Sequence, residues 1–166
     1  MKHNSDNTVF VLDVDGTLTN GNMYYSKDGK KLKAFSCDDW DALKEISNFM
    51  QLCFITADKK GFPITQKRIE EEMGWDLNLV SPYPKERWEW MKQQFPDKKI
   101  FFMADGIYDY YALEKCYFGI TTKNALEYTK RSANIMIEKN GGDRAVAAAC
   151  IYLMEQFNWD WKAKYK

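Results

Sequence analysis

The chain has no surplus of charge of either sign: 24 Lys and Arg stand against 24 Asp and Glu across 166 residues. Binding a phosphate backbone or an anionic bilayer needs a basic excess, so the balance argues against nucleic acid and membrane partners. No apolar run is long enough to span a bilayer, and the polar residues 1–7 lack the apolar core of a signal peptide. The reading is a cytoplasmic protein. Cysteine is sparse and scattered: Cys37, Cys53, Cys116 and Cys150 form no CxxC pair, and the only histidine is His3, near a terminus read as frayed. That spacing argues against a zinc site and for four reduced thiols. There is no internal repeat, linker or low-complexity segment, so residues 1–166 read as one domain with a core of its own. Aromatics are abundant instead. Ten Tyr and six Trp predict an interface as well as a core.

Strand-length apolar runs alternate with amphipathic stretches. Strands are predicted at 8–13, 51–56, 77–80, 99–104, 116–121 and 134–137, and helices at 39–50, 63–73, 84–95, 108–115, 123–130 and 143–157. The alternation implies βαβ units with right-handed crossovers. The predicted fold class is α/β, a three-layer α/β/α sandwich with a Rossmann-like, mostly parallel sheet. One segment breaks the pattern. Asp28-Gly29 between two β-like runs signals a hairpin over about 22–35, projecting near the carboxyl ends of the strands. No insertion is large enough for a cap domain. The tail, about 158–166, is rich in Trp and Lys and is either ordered or frayed.

The most informative run is Val9-Phe10-Val11-Leu12-Asp13-Val14-Asp15-Gly16-Thr17-Leu18-Thr19. Its apolar start reads as a central strand buried on both faces, and its two carboxylates fall where the strand ends. Open α/β sheets place their ligands at that end. Other strand ends add Thr56, a helix opening Pro84-Lys85, and Asp105 with Asp109 four residues on. Carboxylates with carbonyl and water oxygens suit Mg²⁺ rather than zinc. On this reading Asp13, Asp105 and the Val14 carbonyl hold Mg²⁺, and Asp13 attacks a phosphate monoester to form an aspartyl-phosphate. Asp15 protonates the leaving oxygen and later deprotonates water. Thr56, the amides of the Ala57–Asp58 segment and Lys85 cradle the transferring oxygens.

The order DxDGT, Thr after a strand, Lys, then Asp-x-x-x-Asp after a strand resembles the haloacid dehalogenase (HAD) superfamily of phosphohydrolases. The run Asp13 to Tyr25, the hairpin, Lys33-Ala-Phe-Ser-Cys-Asp-Asp and Glu138-Lys-Asn-Gly-Gly-Asp143 resemble its capless subgroup acting on sugar-acid phosphates. That subgroup includes the 3-deoxy-octulosonate 8-phosphate and nonulosonate 9-phosphate phosphatases, and the likeness spans roughly residues 8–156. The resemblance implies a small phosphorylated sugar or 3-deoxy sugar acid as substrate. It also implies a homo-tetramer in which the hairpin, with Met23, Tyr24, Tyr25 and Phe35, joins subunits and a partner covers the open site.

Several positions depart from the pattern. Ala57-Asp58 follows Thr56 where Gly and then Arg or Glu are usual, Ala104 and Arg144 replace glycines, and Gly106 and Tyr108 replace an Asp and an Asn. These changes keep open a catalytically idle HAD-fold subunit and a phosphatase for another small ester, such as a nucleotide. A signalling receiver is disfavoured by the second acid, Asp15. Asp109 either caps the helix after it or orients Lys85 or a metal-bound water. Asp39 reads as the N-cap of the first helix. Gly141-Gly142 reads as a turn with φ > 0 or a loop entering a neighbour's site.

Overall fold

The computed structural model describes residues 7–165, so His3 and Lys166 lie outside the described residues. β1 (Thr8–Asp13) is buried from Val9 to Leu12 because both faces of the sheet are covered. Its alternate side chains divide between two cores. Phe10 and Leu12 enter one with Leu43, Ile46, Ala149 and Leu153, and Val9 and Val11 enter the other with Met91 and Ala112.

The remaining elements follow the predicted order. A turn over Val14–Leu18 leads to the hairpin strands β2 (Tyr24–Ser26) and β3 (Gly29–Leu32), then to α1 (Cys37–Ile46) and β4 (Gln51–Thr56). α2 (Phe62–Gln66) runs on as a wider helical turn over Lys67–Glu72, followed by β5 (Leu77–Leu79) and α3 (Pro84–Gln94). β6 (Lys99–Met103), α4 (Tyr110–Lys115), β7 (Phe118–Thr122), α5 (Glu127–Ser132), β8 (Ile135–Ile137) and α6 (Ala145–Gln156) complete the fold.

The six main strands form one parallel sheet in the order β5-β4-β1-β6-β7-β8. α1 and α6 cover one face, and α3 and α4 the other. The chain leaves β1 toward β4 and β5, then returns to lay β6, β7 and β8 on the opposite side. β1 is therefore the switch point, where two crossovers diverge and leave a crevice at the carboxyl ends. No cap intervenes; the hairpin, tied at its base by a bridge between Thr19 and Phe35, is the only projection between β1 and α1.

Some boundaries move. α1 ends at Ile46, short of the predicted 50, because Ser47 and Asn48 side chains bond back to the Lys44 and Glu45 carbonyls. Asp39 is not an N-cap. Ser36 holds that position in extended conformation, and Asp39 lies in the first turn, buried against α6, where its Oδ1 accepts the Ala147 N–H at 2.8 Å. The tail is ordered as far as it is described: Trp159 stacks on Phe49 at 5.3 Å, and Trp161 packs on the core. All four cysteines are free, and burial pushes the Cys53 and Cys116 thiols up to about 12, which makes both inert.

Burial raises the Asp39 carboxyl from its ordinary 3.8 to about 6, against the opposing pull of the Ala147 N–H. The folded chain thus holds a proton that the unfolded chain has released, and stability is lost as pH climbs between those values. Asp39→Asn keeps the acceptor for Ala147 and removes the buried charge. It should raise the melting temperature at pH 8, by about 1–2 kcal/mol of stability at 1.36 kcal/mol per pH unit less the cost of burying the amide. The gain should shrink toward pH 4; equal melting curves at pH 8 would show that the charge costs nothing there.

Candidate active site

The turn after β1 is shaped by Gly16, whose φ of +100° lies in the region that only glycine enters freely. A side chain there has no room: a Cβ would stand 2.1 Å from Asp105 Oδ2. The same turn is pinned by Thr19 N–H donating to the Val14 carbonyl at 3.0 Å and by Thr17 Oγ1 donating to Asp105 Oδ1 at 3.0 Å. Thus DxDGT folds onto the carboxylate that ends β6. Gly141 is the other position of close approach, since a Cβ on it would fall 1.8 Å from the Gly16 carbonyl oxygen. The Gly-Gly turn therefore backs this chain's own loop, with Gly142 N–H donating to the Thr17 carbonyl at 3.2 Å.

Asp13 ends β1 beside Ile55 of β4, at the switch point, and is nearly fully buried. Asp15 lies one turn out, where both of its oxygens are held. Thr56 Oγ1 donates to Oδ2 at 2.9 Å, and Lys33 Nζ pairs with Oδ1 at 2.6 Å. Thr56 also accepts the Asp58 N–H at 3.0 Å. The Asp58 carboxylate faces Lys33 at 2.9 Å and bonds Lys30. Burial works against the Asp58 charge, but Lys30, Lys33 and the Gly61 N–H outweigh it and bring the carboxyl down to about 2.

Lys85, the predicted cation, is exposed and does not line the crevice; Arg87 does. Arg87 Nη1 donates to Asp13 Oδ1 at 3.3 Å and bonds Asp109, while Nε donates to the Ser81 carbonyl at 3.3 Å. Helix spacing explains the exchange. Arg87 and the buried Met91 stand four residues apart on the face of α3 that meets the sheet, and Lys85 lies off that stripe. Asp109 stands at the N-cap position of α4 without capping it. Its carboxylate binds Arg87 and accepts the Gly106 N–H at 2.9 Å. Lys30 had no signal in the sequence, and Lys33 stood only at the head of the run Lys33-Ala-Phe-Ser-Cys-Asp-Asp with no role marked for it, because the acidic partners of both lie on other elements.

Three carboxylates, Asp13, Asp105 and Asp109, act on one guanidinium. Burial, then the charge of Asp109, raises the Asp13 carboxyl well above its usual range, and Arg87 does not offset both. Burial and the charges of Asp109 and Asp15 bring Asp105 up to about 7. The crevice has a volume of about 460 Å³, with Asp13, Asp15, Asp58, Arg87 and Asp109 in its walls and Met23, Tyr25, Pro82, Ile107 and Tyr108 around it. A cavity of similar volume, about 470 Å³, lies between α1, α6 and Trp161, and contains none of these acids.

The chain is 26% identical over 150 residues to the 3-deoxy-D-manno-octulosonate 8-phosphate phosphatase KdsC of Haemophilus influenzae, covering 87% of this chain and 82% of that protein. The 3-deoxy-D-manno-octulosonate 8-phosphate phosphatase of Moraxella catarrhalis, solved with magnesium, phosphate and KDO, superposes with a TM-score of 0.84 at 23% identity, over 98% of this chain and 95% of that one. A Legionella pneumophila protein described as a HAD superfamily hydrolase of subfamily III A gives 0.80 at 21% identity, over 96% and 87%. The chain has the HAD fold. No family model matches it. Its resemblance to the capless HAD phosphatases holds in sequence and in architecture alike.

The crevice offers a cation few but suitable donors. Among the described residues no three acidic, cysteine or histidine side chains form an ion-binding group. What it presents is the carboxylates of Asp13 and Asp105, plus the Val14 carbonyl with one lone pair already used by Thr19. Mg²⁺ needs only one or two carboxylates, the rest of its shell being water and substrate oxygens. The Asp105 carboxyl, crowded by neighbouring acids and held by Thr17 and the bare face of Gly16, fits that demand.

Proposed function

We propose that the chain is a Mg²⁺-dependent phosphomonoesterase acting through an aspartyl-phosphate on Asp13, with a phosphorylated sugar or 3-deoxy sugar acid as substrate. The observation that carries this reading is the placement of Asp13, buried at the switch point, with Asp15 and Asp105 beside it. The named activity of the Haemophilus influenzae relative supports the substrate class.

Asp13 and Asp105 would hold the cation, whose charge lets a carboxylate approach a phosphate dianion. An Asp13 oxygen attacks phosphorus as the bond to the leaving oxygen breaks, and Asp15 delivers a proton to that oxygen. Asp15 then takes a proton from water as the water oxygen attacks phosphorus, which frees Asp13 and inorganic phosphate. Thr56 holds Asp15 and accepts the Asp58 N–H, which leaves the Ala57 N–H as the amide of that segment to face the transferring oxygens. Arg87 takes the role of pocket cation that the sequence suggested for Lys85.

The hairpin supports the proposed tetramer, since Met23, Tyr24, Tyr25 and Leu32 are exposed on it. Phe35, expected among them, packs against the core instead. Among the described residues no helix is long and apolar enough to cross a membrane, consistent with a cytoplasmic enzyme.

The test is phosphate release from phosphorylated sugars, sugar acids and nucleotides with Mg²⁺ and after EDTA. Release that requires Mg²⁺ and is fastest on a sugar or sugar-acid phosphate is the expected result. Release indifferent to EDTA would sink the metal requirement, and a nucleotide as best substrate would sink the substrate class.

A further inference from the structure

Lys33 is charged, yet its side chain has 0% exposure. An ammonium has three donors and no acceptor, so burying it demands three acceptors in the right directions. The fold provides that number. Nζ lies 2.6 Å from Asp15 Oδ1, 2.9 Å from Asp58 Oδ2 and 2.9 Å from Thr65 Oγ1. The three partners come from three places: the turn after β1, the loop after β4, and α2. Thr65 is itself anchored, its hydroxyl reaching the Gly61 carbonyl at 3.3 Å. Lys33 follows β3 directly, so the hairpin delivers it to the site.

For Asp15 the consequence is geometric. A carboxylate on a turn would otherwise sample several rotamers, but here one oxygen is held by Thr56 and the other by Lys33. Neither partner touches Asp13, whose contacts are made by Arg87. The two cations thus serve different acids. We infer that Lys33 is a positioning residue for the proton-transfer step, fixing Asp15 against the leaving oxygen through a three-way contact among hairpin, β4 loop and α2. The inference rests on the phosphatase reading above. Proton transfer to a misplaced oxygen is slow, so the loss from an untethered Asp15 should scale with how badly the leaving group needs a proton.

That dependence separates positioning from mere support of the fold. An alkyl ester, such as a sugar phosphate, leaves as a strongly basic alkoxide and needs the proton; p-nitrophenyl phosphate leaves as a stable phenolate and does not. The experiment measures kcat/KM with Mg²⁺ for both esters in wild type, Lys33→Met, Lys33→Arg and Asp15→Asn. kcat/KM reports steps up to the first irreversible one, the transfer to Asp13, and so isolates the role of Asp15 as acid. Lys33→Met should lose about 10²-fold on the sugar phosphate, the low end for acid–base catalysis, and little on p-nitrophenyl phosphate. Asp15→Asn should show the same selective pattern more strongly, and Lys33→Arg should recover part of the loss. Equal losses on the two esters, or none on either, would overturn the positioning role while leaving the phosphatase reading standing. A wild-type enzyme that cleaves neither ester would overturn the phosphatase reading and this inference together. Melting curves accompany the kinetics, and if Lys33→Met fails to fold, Lys33→Gln takes its place with the same expectation.

Discussion

Asp13→Asn should reduce Mg²⁺-dependent phosphate release to background while the protein still folds. The side chain ends β1 at the one point where the crossovers diverge, buried and within reach of Arg87, so no other carboxylate can take its place as nucleophile. Asp15 is held away by Thr56 and Lys33, Asp109 is tied to Arg87 and the Gly106 N–H, and Asp105 is held by Thr17. An amide cannot form the acyl-phosphate, and the loss should be seen with every leaving group, unlike that of Asp15→Asn. Stability should move the other way. Asp13 is crowded by three other acids, and burial and their repulsion hold its carboxyl well above the usual range. The folded state therefore retains its proton longer than the unfolded chain, and the acid's burden appears as pH rises. Asp13→Asn should melt no lower than wild type at pH 8. Residual Mg²⁺-dependent release from a well-folded variant would show that another group attacks phosphorus.

Arg87→Met should cost the most stability of any single change at the site. The guanidinium is buried between Asp13 and Asp109, which are themselves buried, and a methionine leaves both without a counter-charge. Removing one partner of such a pair typically costs about 3–5 kcal/mol, because the remaining charge stays uncompensated. For a chain of this size that corresponds to a fall in melting temperature of roughly 10 °C. Turnover should fall as well, since Asp13 loses the contact that aims its Oδ1. Lys85→Met, on the exposed face of the same helix, should leave both quantities unchanged. The reverse result, a tolerant Arg87 and a sensitive Lys85, would restore the lysine to the role that sequence order suggested for it. Thermal melts and phosphate release on the two variants decide between them.

Much of this was legible in the chain as written. The strand Val9–Leu12 declares itself because a strand covered on both faces must be apolar at every position, and the acids after it declare the catalytic end. Asp28-Gly29 announces the hairpin, because the backbone at Gly29, with φ of +107°, is one that glycine adopts cheaply. Such features are local; neighbouring residues dictate them. The partners of the acids are not local. Arg87 reaches Asp13 across 74 residues, and Lys33 meets Asp58 across α1 and β4. Their charges are no different in sequence from the exposed Lys85 or Lys59. Only the packing of α3 on the sheet, and of the hairpin over the β4 loop, decides which cations are buried against which carboxylates. Desolvation then gives those few pairs their weight, because a charge removed from water must find its counterpart within the fold.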